Sequence, residues 1–232
     1  ARFGETWLTS MKKVELEEGN LRMEANNSSV QRISRVSSFY AHYTKRAIDI
    51  GIATVALLIL IIPFIIVAIA IKLDSKGPVI FKQQRATKNQ QSFDIYKFRS
   101  MSTEAPHNMA TADLDATSYI TRVGAFLRKT SIDELPQLIN VLHGDMSIIG
   151  PRPVLTTETH LLELRHKFGC DYVLPGITGL AQISGRDEVD DLKKSQLDAQ
   201  YADHLTLGMD AWIVVKSVAY VLGQKGIHEE KC

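Results

Sequence analysis

The residues most capable of chemistry lie in one short segment, Leu127 to Pro136 (LRKTSIDELP), where Arg128 and Lys129 precede two adjacent carboxylates, Asp133 and Glu134. Ser131 and Glu134 have capping-box spacing. A helix started at Ser131, however, would put Pro136 where a backbone donor is needed. With the N-cap at Asp133, Pro136 falls in the first turn, whose donors are unpaired in any helix. The spacing therefore predicts both carboxylates at the positive end of a helix, where a carboxylate stays ionised. An ionised Asp beside Arg128 and Lys129 can act as a nucleophile or as a metal ligand next to a phosphate site. It can equally do no more than cap the helix, and the segment alone does not separate these readings.

A second candidate is Arg152, set between Pro151 and Pro153. Both prolines restrict its backbone, so its guanidinium is presented with little entropy to lose, which suits a phosphate. A solvated turn arginine is the plainer reading. Lys97 and Arg99, with Arg122, Arg128 and Lys129, could line a cleft for an anionic substrate, although each alone reads as a surface charge. Other chemistries lack their motifs: there is no G-x-x-x-x-G-K-[ST], G-x-G-x-x-G or G-x-S-x-G, and the seven histidines are scattered. Cys170 and Cys232, the two cysteines, have neither disulfide-framework nor zinc-site spacing, which fits a reducing, cytoplasmic setting. With 27 Lys+Arg against 26 Asp+Glu, there is no bulk charge to draw nucleic acid.

The elements that must position these residues start with an apolar stretch. From Ile50 to Ile71 no residue is charged, a length that crosses a bilayer core of ~30 Å if helical. It is too long and begins too late for a signal peptide. Pro63 removes a donor and clashes with the carbonyl of Ile59, so a kink is expected there. Lys45 and Arg46 precede the stretch and Lys72, Lys76, Lys82 and Arg85 follow it, so the positive-inside rule draws both ends to the cytoplasm. A helix broken at Pro63 that enters and leaves by one face satisfies both signals, and a kinked single span is the alternative.

Residues 1–40 show no sustained period and read as a mobile arm or short interfacial helices, with Met11 a candidate native start and the preceding residues an added stretch. Residues 78–84 and 93–99 read as two strands joined by a polar turn, and 104–117 as a loop. Helices are expected over 119–129, 135–142 and 155–167. SIIGPRP, 147–153, is an apolar run closed by a rigid turn, and PGITG, 175–179, is a turn before a short strand AQIS. Two more helices are expected at about 188–204 and 209–223; the second carries Trp212, Tyr220 and Lys216 and reads as interfacial or as an ordinary core helix.

Taken in order after a Pro-broken apolar helix, PVIFKQQR, YKFRSM, LRKTSIDELPQLINVLHGDMSIIGPRP and PGITGLAQISGR resemble the bacterial sugar transferase family, the monotopic phosphoglycosyl transferases, over about residues 43–225. The resemblance implies an enzyme that moves a sugar-1-phosphate from a UDP-sugar to polyprenyl (undecaprenyl) phosphate at the cytoplasmic face of the bacterial inner membrane. UMP would be released and surface glycan assembly begun. It implies Asp133 as the nucleophile, Glu134 as its partner, Mg2+ as the metal with Asp133 its contact, and phosphate-binding arginines at Arg128 and Arg152. Arg99 and Arg85 are added as candidate phosphate ligands, and the re-entrant helix break falls on Pro63. Membrane lipids are expected partners, with a homo-oligomer open. A membrane-anchored scaffold that binds a nucleotide or lipid phosphate without turnover is the rival reading.

The expected fold is α+β. It comprises an arm over 1–42, a membrane-inserted re-entrant broken helix over 43–74, and a small, mainly helical catalytic domain over 75–228 with a β-hairpin and interfacial amphipathic helices. The chain resembles the minimal catalytic form, lacking the multi-span region of long members. It departs from many of them at Thr87, Gln90, Ser100 and Leu180, which bears on loop shape and substrate preference.

Overall fold

The computed structural model describes residues 40–105, 119–185 and 190–222. Most of the N-terminal arm and of the 104–117 loop lie outside those residues. A π-helical turn, Tyr40–Thr44, leads into α1, Lys45–Asp74, the one helix among the described residues long and apolar enough to cross a membrane. The break expected at Pro63 does not divide the element: a single helix runs through it. Pro63 removes only one intrahelical donor, and the residues around it are held from outside. Leu60 packs against a core of Ala53, Phe93, Ile95, Leu138, Val141 and Met146. Phe64 packs against a second core of Ile71, Phe98 and Leu127, its ring edge-on to Phe98 at 5.0 Å.

Ala53, Leu57, Leu60, Phe64, Val67 and Ile71 recur every three or four residues and so form one stripe. The body covers that stripe, while Ile52, Val55, Leu58, Ile59, Ile62, Ile66, Ile69 and Leu73 are exposed. Both ends of α1 are tied to the body by polar contacts. At the start, Lys45 Nζ lies 2.8 Å from Asp210 Oδ2, Arg46 donates to the carbonyl of Val141 (2.6 Å), and Asp49 accepts from the Ser147 hydroxyl (2.7 Å). At the finish, Asp74 accepts from the Val123 amide (3.0 Å).

The strands fall close to expectation: β1, Ile80–Ala86, pairs antiparallel with β2, Ser92–Phe98, in a register running from Ile80 opposite Phe98 to Ala86 opposite Ser92. The outer edge of β2 is closed by a side chain. Asn140, fully buried on α3 (Gln137–His143), accepts from the Tyr96 amide (3.0 Å) and donates to the Asp94 carbonyl (2.8 Å), supplying the bonds a third strand would make. Preceding α3 are α2, Arg122–Lys129, capped by the Thr121 hydroxyl, and a one-turn 3-10 helix, Ile132–Glu134.

Strand β3, Ser147–Ile149, pairs parallel with β4, Gly176–Thr178. The strand is thus GIT, and the expected AQIS strand is instead a short helix, α5 (Leu180–Ile183; α4 is Thr159–Lys167). The pairing moves there because the backbones of Gly150, Gly176 and Gly179 interlock: a Cβ on Gly176 would strike Gly150 N, and one on Gly179 would strike Gly150 O. Two further helices, α6 (Asp191–Asp203) and α7 (Leu207–Leu222), close the body. Tyr201 of α6 and Ile213 of α7 join Ile149 and Leu180 in one core cluster.

The Asn140 clamp is testable. Asn140→Asp keeps an acceptor for Tyr96 N–H but sets a buried carboxylate against the Asp94 carbonyl, so folding stability should drop by about 2–4 kcal/mol, read as a lowered Tm in detergent.

Candidate active site

The chain reverses sharply between α2 and α3. Thr130 closes α2 by donating its hydroxyl to the Phe126 carbonyl (2.8 Å), and Ser131 then takes the left-handed conformation at φ 57° and ψ 17°. For a residue with a Cβ this costs ~1–2 kcal/mol. Asp133 follows as the middle residue of the 3-10 turn, not as the N-cap of the next helix. Pro136 occupies that cap position, where its missing N–H is not required, and its carbonyl accepts from Ile139 N (3.0 Å). The expected helix-terminus setting of the carboxylates is thereby corrected. What surrounds them is a set of side-chain cations.

Glu134 Oε1 lies 2.8 Å from Lys97 Nζ and 3.3 Å from Arg152 Nη2. Lys97 comes from the end of β2 and Arg152 from the loop after β3. Asp133 is half-buried beside them. Burial pushes its carboxyl up to about 6; the Lys97 charge opposes this, Glu134 adds to it, and Arg128 and Arg152 oppose it further. Arg128 stands on the last turn of α2. The turn therefore gathers Asp133, Glu134, Lys97, Arg128 and Arg152 into one cleft.

Arg85 adjoins the same cluster. Burial lowers its pKa to about 10, with the like charge of Arg152 the next cause and Glu158 and Glu134 partly offsetting both. Its guanidinium donates to Gln83 Oε1 (2.7 Å) and sits 3.9 Å from Glu158. Two neighbouring guanidiniums repel in the absence of an anion, so their convergence favours a phosphate-bearing ligand. Arg99, the other added candidate, is engaged at the exit of α1. Only 5% exposed, it donates to the carbonyls of Ser75 (2.7 Å) and Lys76 (2.9 Å) and to the Ser75 hydroxyl, securing the exit of α1.

Among the described residues no group of three or more His, Cys, Asp or Glu could hold a metal ion. The expected Mg2+ nevertheless fits the donor set. Mg2+ commonly takes one or two carboxylates and completes its octahedron with water and substrate phosphate, and Asp133 offers such a carboxylate.

Composition and spacing singled out Asp133, Glu134, Arg128 and Arg152, and the fold brings all four together. The pairing of Lys97 with Glu134 was not legible, because it depends on how the hairpin lies against the 3-10 turn. Asp49, Asn140 and Asp210, which hold the frame, carry no local signal beyond being polar residues in or near apolar runs.

Residues 40–224 match the family described as bacterial sugar transferase. The chain belongs to that family. Curated relatives include the UDP-glucose:undecaprenyl-phosphate glucose-1-phosphate transferase of Escherichia coli (strain K12), 43% identical over 182 residues, covering 75% of this chain and 38% of that protein. The exopolysaccharide production protein ExoY of Rhizobium meliloti (strain 1021) is 37% identical over 199 residues, covering 78% of this chain and 87% of that one. The UDP-N-acetylgalactosamine-undecaprenyl-phosphate N-acetylgalactosaminephosphotransferase of Aeromonas hydrophila is 39% identical over 191 residues, covering 80% and 45%. The chain thus spans well under half the length of several relatives, and the stretch that matches the family, residues 40–224, contains the whole charged cluster.

The raised carboxyl gives a pH prediction. An Asp whose folded pKa exceeds its unfolded one binds its proton more tightly when folded, so its contribution to stability falls as pH rises from about 4 to about 6. In metal-free protein held in chelator, carboxyl NMR should show Asp133 titrating near 6. Lys97→Met should move the midpoint up and Glu134→Gln should move it down. A midpoint at the ordinary aspartate value would show that burial does not govern this group.

Proposed function

We propose that this chain transfers a sugar-1-phosphate from a UDP-sugar to a polyprenyl phosphate, undecaprenyl phosphate being the expected acceptor, through a covalent intermediate on Asp133. The observation that carries the reading is the division of labour between the two carboxylates. Glu134 is committed to Lys97 and Arg152, while Asp133 stands half-buried among cations with a carboxyl of raised basicity. A carboxylate that is incompletely solvated is a better nucleophile than one in water, and nearby cations accommodate the anion it attacks.

In the first step an Asp133 oxygen attacks the sugar-bearing phosphorus of the donor. The bond from that phosphorus to the bridging oxygen breaks, and UMP leaves with the electron pair. In the second step a phosphate oxygen of the lipid attacks the same phosphorus, and the Asp133 carboxylate departs, leaving a polyprenyl diphosphosugar. Arg152 and Arg85 would bind donor phosphate oxygens, Arg128 would balance charge at the nucleophile, and Glu134 would hold Lys97 and Arg152 in place. Mg2+, bound by Asp133 with donor phosphate, would supply further charge neutralisation. A covalent intermediate lets a water-soluble donor and a lipid acceptor use one cleft in turn. The names of several relatives support the donor and acceptor classes.

We further propose that α1 is monotopic, entering and leaving the inner membrane from the cytoplasmic side with the catalytic body on that side. Its ends would be ~45 Å apart in a straight helix, yet both are tied to the one polar body, which also covers a stripe along its length. The exposed aliphatic face is what remains for lipid. Helix α7 offers a second apolar surface with Trp212, Val215 and Val218, and Lys216 lies 5.9 Å above the Trp212 ring.

Asp133→Asn should fold and insert but release essentially no UMP. Sugar-labelled donor should mark the native protein at Asp133 when acceptor is absent. UMP release that strictly requires acceptor, with ternary-complex kinetics, would exclude the covalent step. For topology, cysteines introduced as Tyr43→Cys and Gln90→Cys should both react only from the cytoplasmic side of intact cells, and outside labelling of the first would establish a span.

A further inference from the structure

Between Pro151 and Val154 every carbonyl accepts a hydrogen bond. Pro151 O accepts from Gly176 N (2.8 Å), Pro153 O from Arg85 Nη1 (3.4 Å) and Val154 O from Ala86 N (2.9 Å). The remaining one, Arg152 O, accepts from Arg165 Nη1 at 2.9 Å. Arg165 belongs to α4, far from the carboxylate pair in sequence, and is only 7% exposed. Its other nitrogens are held by Asp198 of α6, 1% exposed: Nε lies 2.9 Å and Nη2 2.7 Å from Asp198 Oδ2. One planar guanidinium thus joins α4, α6 and the loop that carries Arg152.

A buried ion pair is a weak source of stability, because desolvating two charges offsets most of their attraction. The contact that apolar residues could not replace is the third one, to the Arg152 carbonyl. Both neighbours of Arg152 are prolines without an N–H, so the peptide plane there has few handles. The Arg152 side chain, 46% exposed, springs from that plane to reach Glu134 at 3.3 Å. We propose that Arg165, oriented by Asp198, is a positioning residue that sets the direction of Arg152 and through it the phosphate-binding geometry of the cleft. This rests on the reading of Arg152 as a phosphate ligand given above. Lysine cannot replace Arg165, since one ammonium cannot span Asp198 and the Arg152 carbonyl as the fork does.

The test is a double-mutant cycle on donor kcat/KM in the full chain. Arg165→Lys keeps a cation beside Asp198 and should lower donor kcat/KM by ~10- to 100-fold, leaving the lipid-acceptor KM unchanged. In the Arg152→Ala background the same change should cost less than ~2-fold, since its effect runs through Arg152. Equal losses in both backgrounds, or unchanged kinetics of Arg165→Lys, would overturn the proposal. If Arg165→Lys does not fold, Arg165→Met with Asp198→Leu replaces the pair by apolar volume. That variant should fold and show the same loss only when Arg152 is present; a loss in both backgrounds would overturn the proposal equally. Full turnover by Arg152→Ala alone would instead overturn the phosphate-ligand reading and, with it, this inference.

Discussion

The site among the described residues depends on a helix too apolar for water on one face and polar at the two ends of the other. The buried face of α1 carries Lys45 and Asp49 at its start and is followed at its finish by Asp74, with only apolar residues between. Placing Lys45 and Asp49 in a low-dielectric interior is costly unless each finds a partner. Asp210 answers Lys45, and Ser147 with the amide of Ile148 answers Asp49. Because Asp210 also accepts from Tyr40 and Tyr201, while Tyr201 reaches the carbonyl of Ile149, the start of α1 is joined to β3, α6 and α7 at once.

The finish of α1 controls the site more directly. Asp74 holds the first turn of α2, and Arg99 draws the end of β2 onto the carbonyls that follow α1. Helix α2 carries Arg128 in its last turn, one residue before its end at Lys129, and β2 ends in Phe98, one residue past Lys97. Lys97 and Arg128, whose charges act on Asp133, are therefore placed by contacts with α1 and the residues that follow it. Ile132, beside Asp133, packs against the core that Ile71, Phe98 and Leu127 share. On the proposed function, membrane attachment and catalytic geometry draw on this same packing.

The cleft itself is held under unfavourable local conditions that the surroundings absorb. Ser131 is left-handed without being glycine, Asp133 resists ionisation, and the like charge of Arg152 acts on Arg85. Sites of this kind are where sequence rules are broken for function. The compensating order is visible nearby, in a loop whose prolines remove donors while every carbonyl from Pro151 to Val154 is engaged.

The apolar run, the hairpin, most helices and the candidate residues Asp133, Glu134, Arg128 and Arg152 were legible in local sequence, since periodicity, proline positions and adjacent charges act within a few residues of themselves. The errors share one cause. Asp133 as an N-cap and AQIS as a strand each relied on a local rule at a place where another part of the backbone prevailed. The left-handed Ser131 moved the cap to Pro136, and the interlocked glycines moved the strand to GIT. The uninterrupted course of α1 through Pro63 likewise reflects packing on both sides of it by Leu60 and Phe64. Only the tertiary structure could decide which cation meets Glu134, which carbonyl meets Arg165 and which face of α1 is covered, because those contacts join residues 13 or more positions apart whose proximity no local spacing encodes.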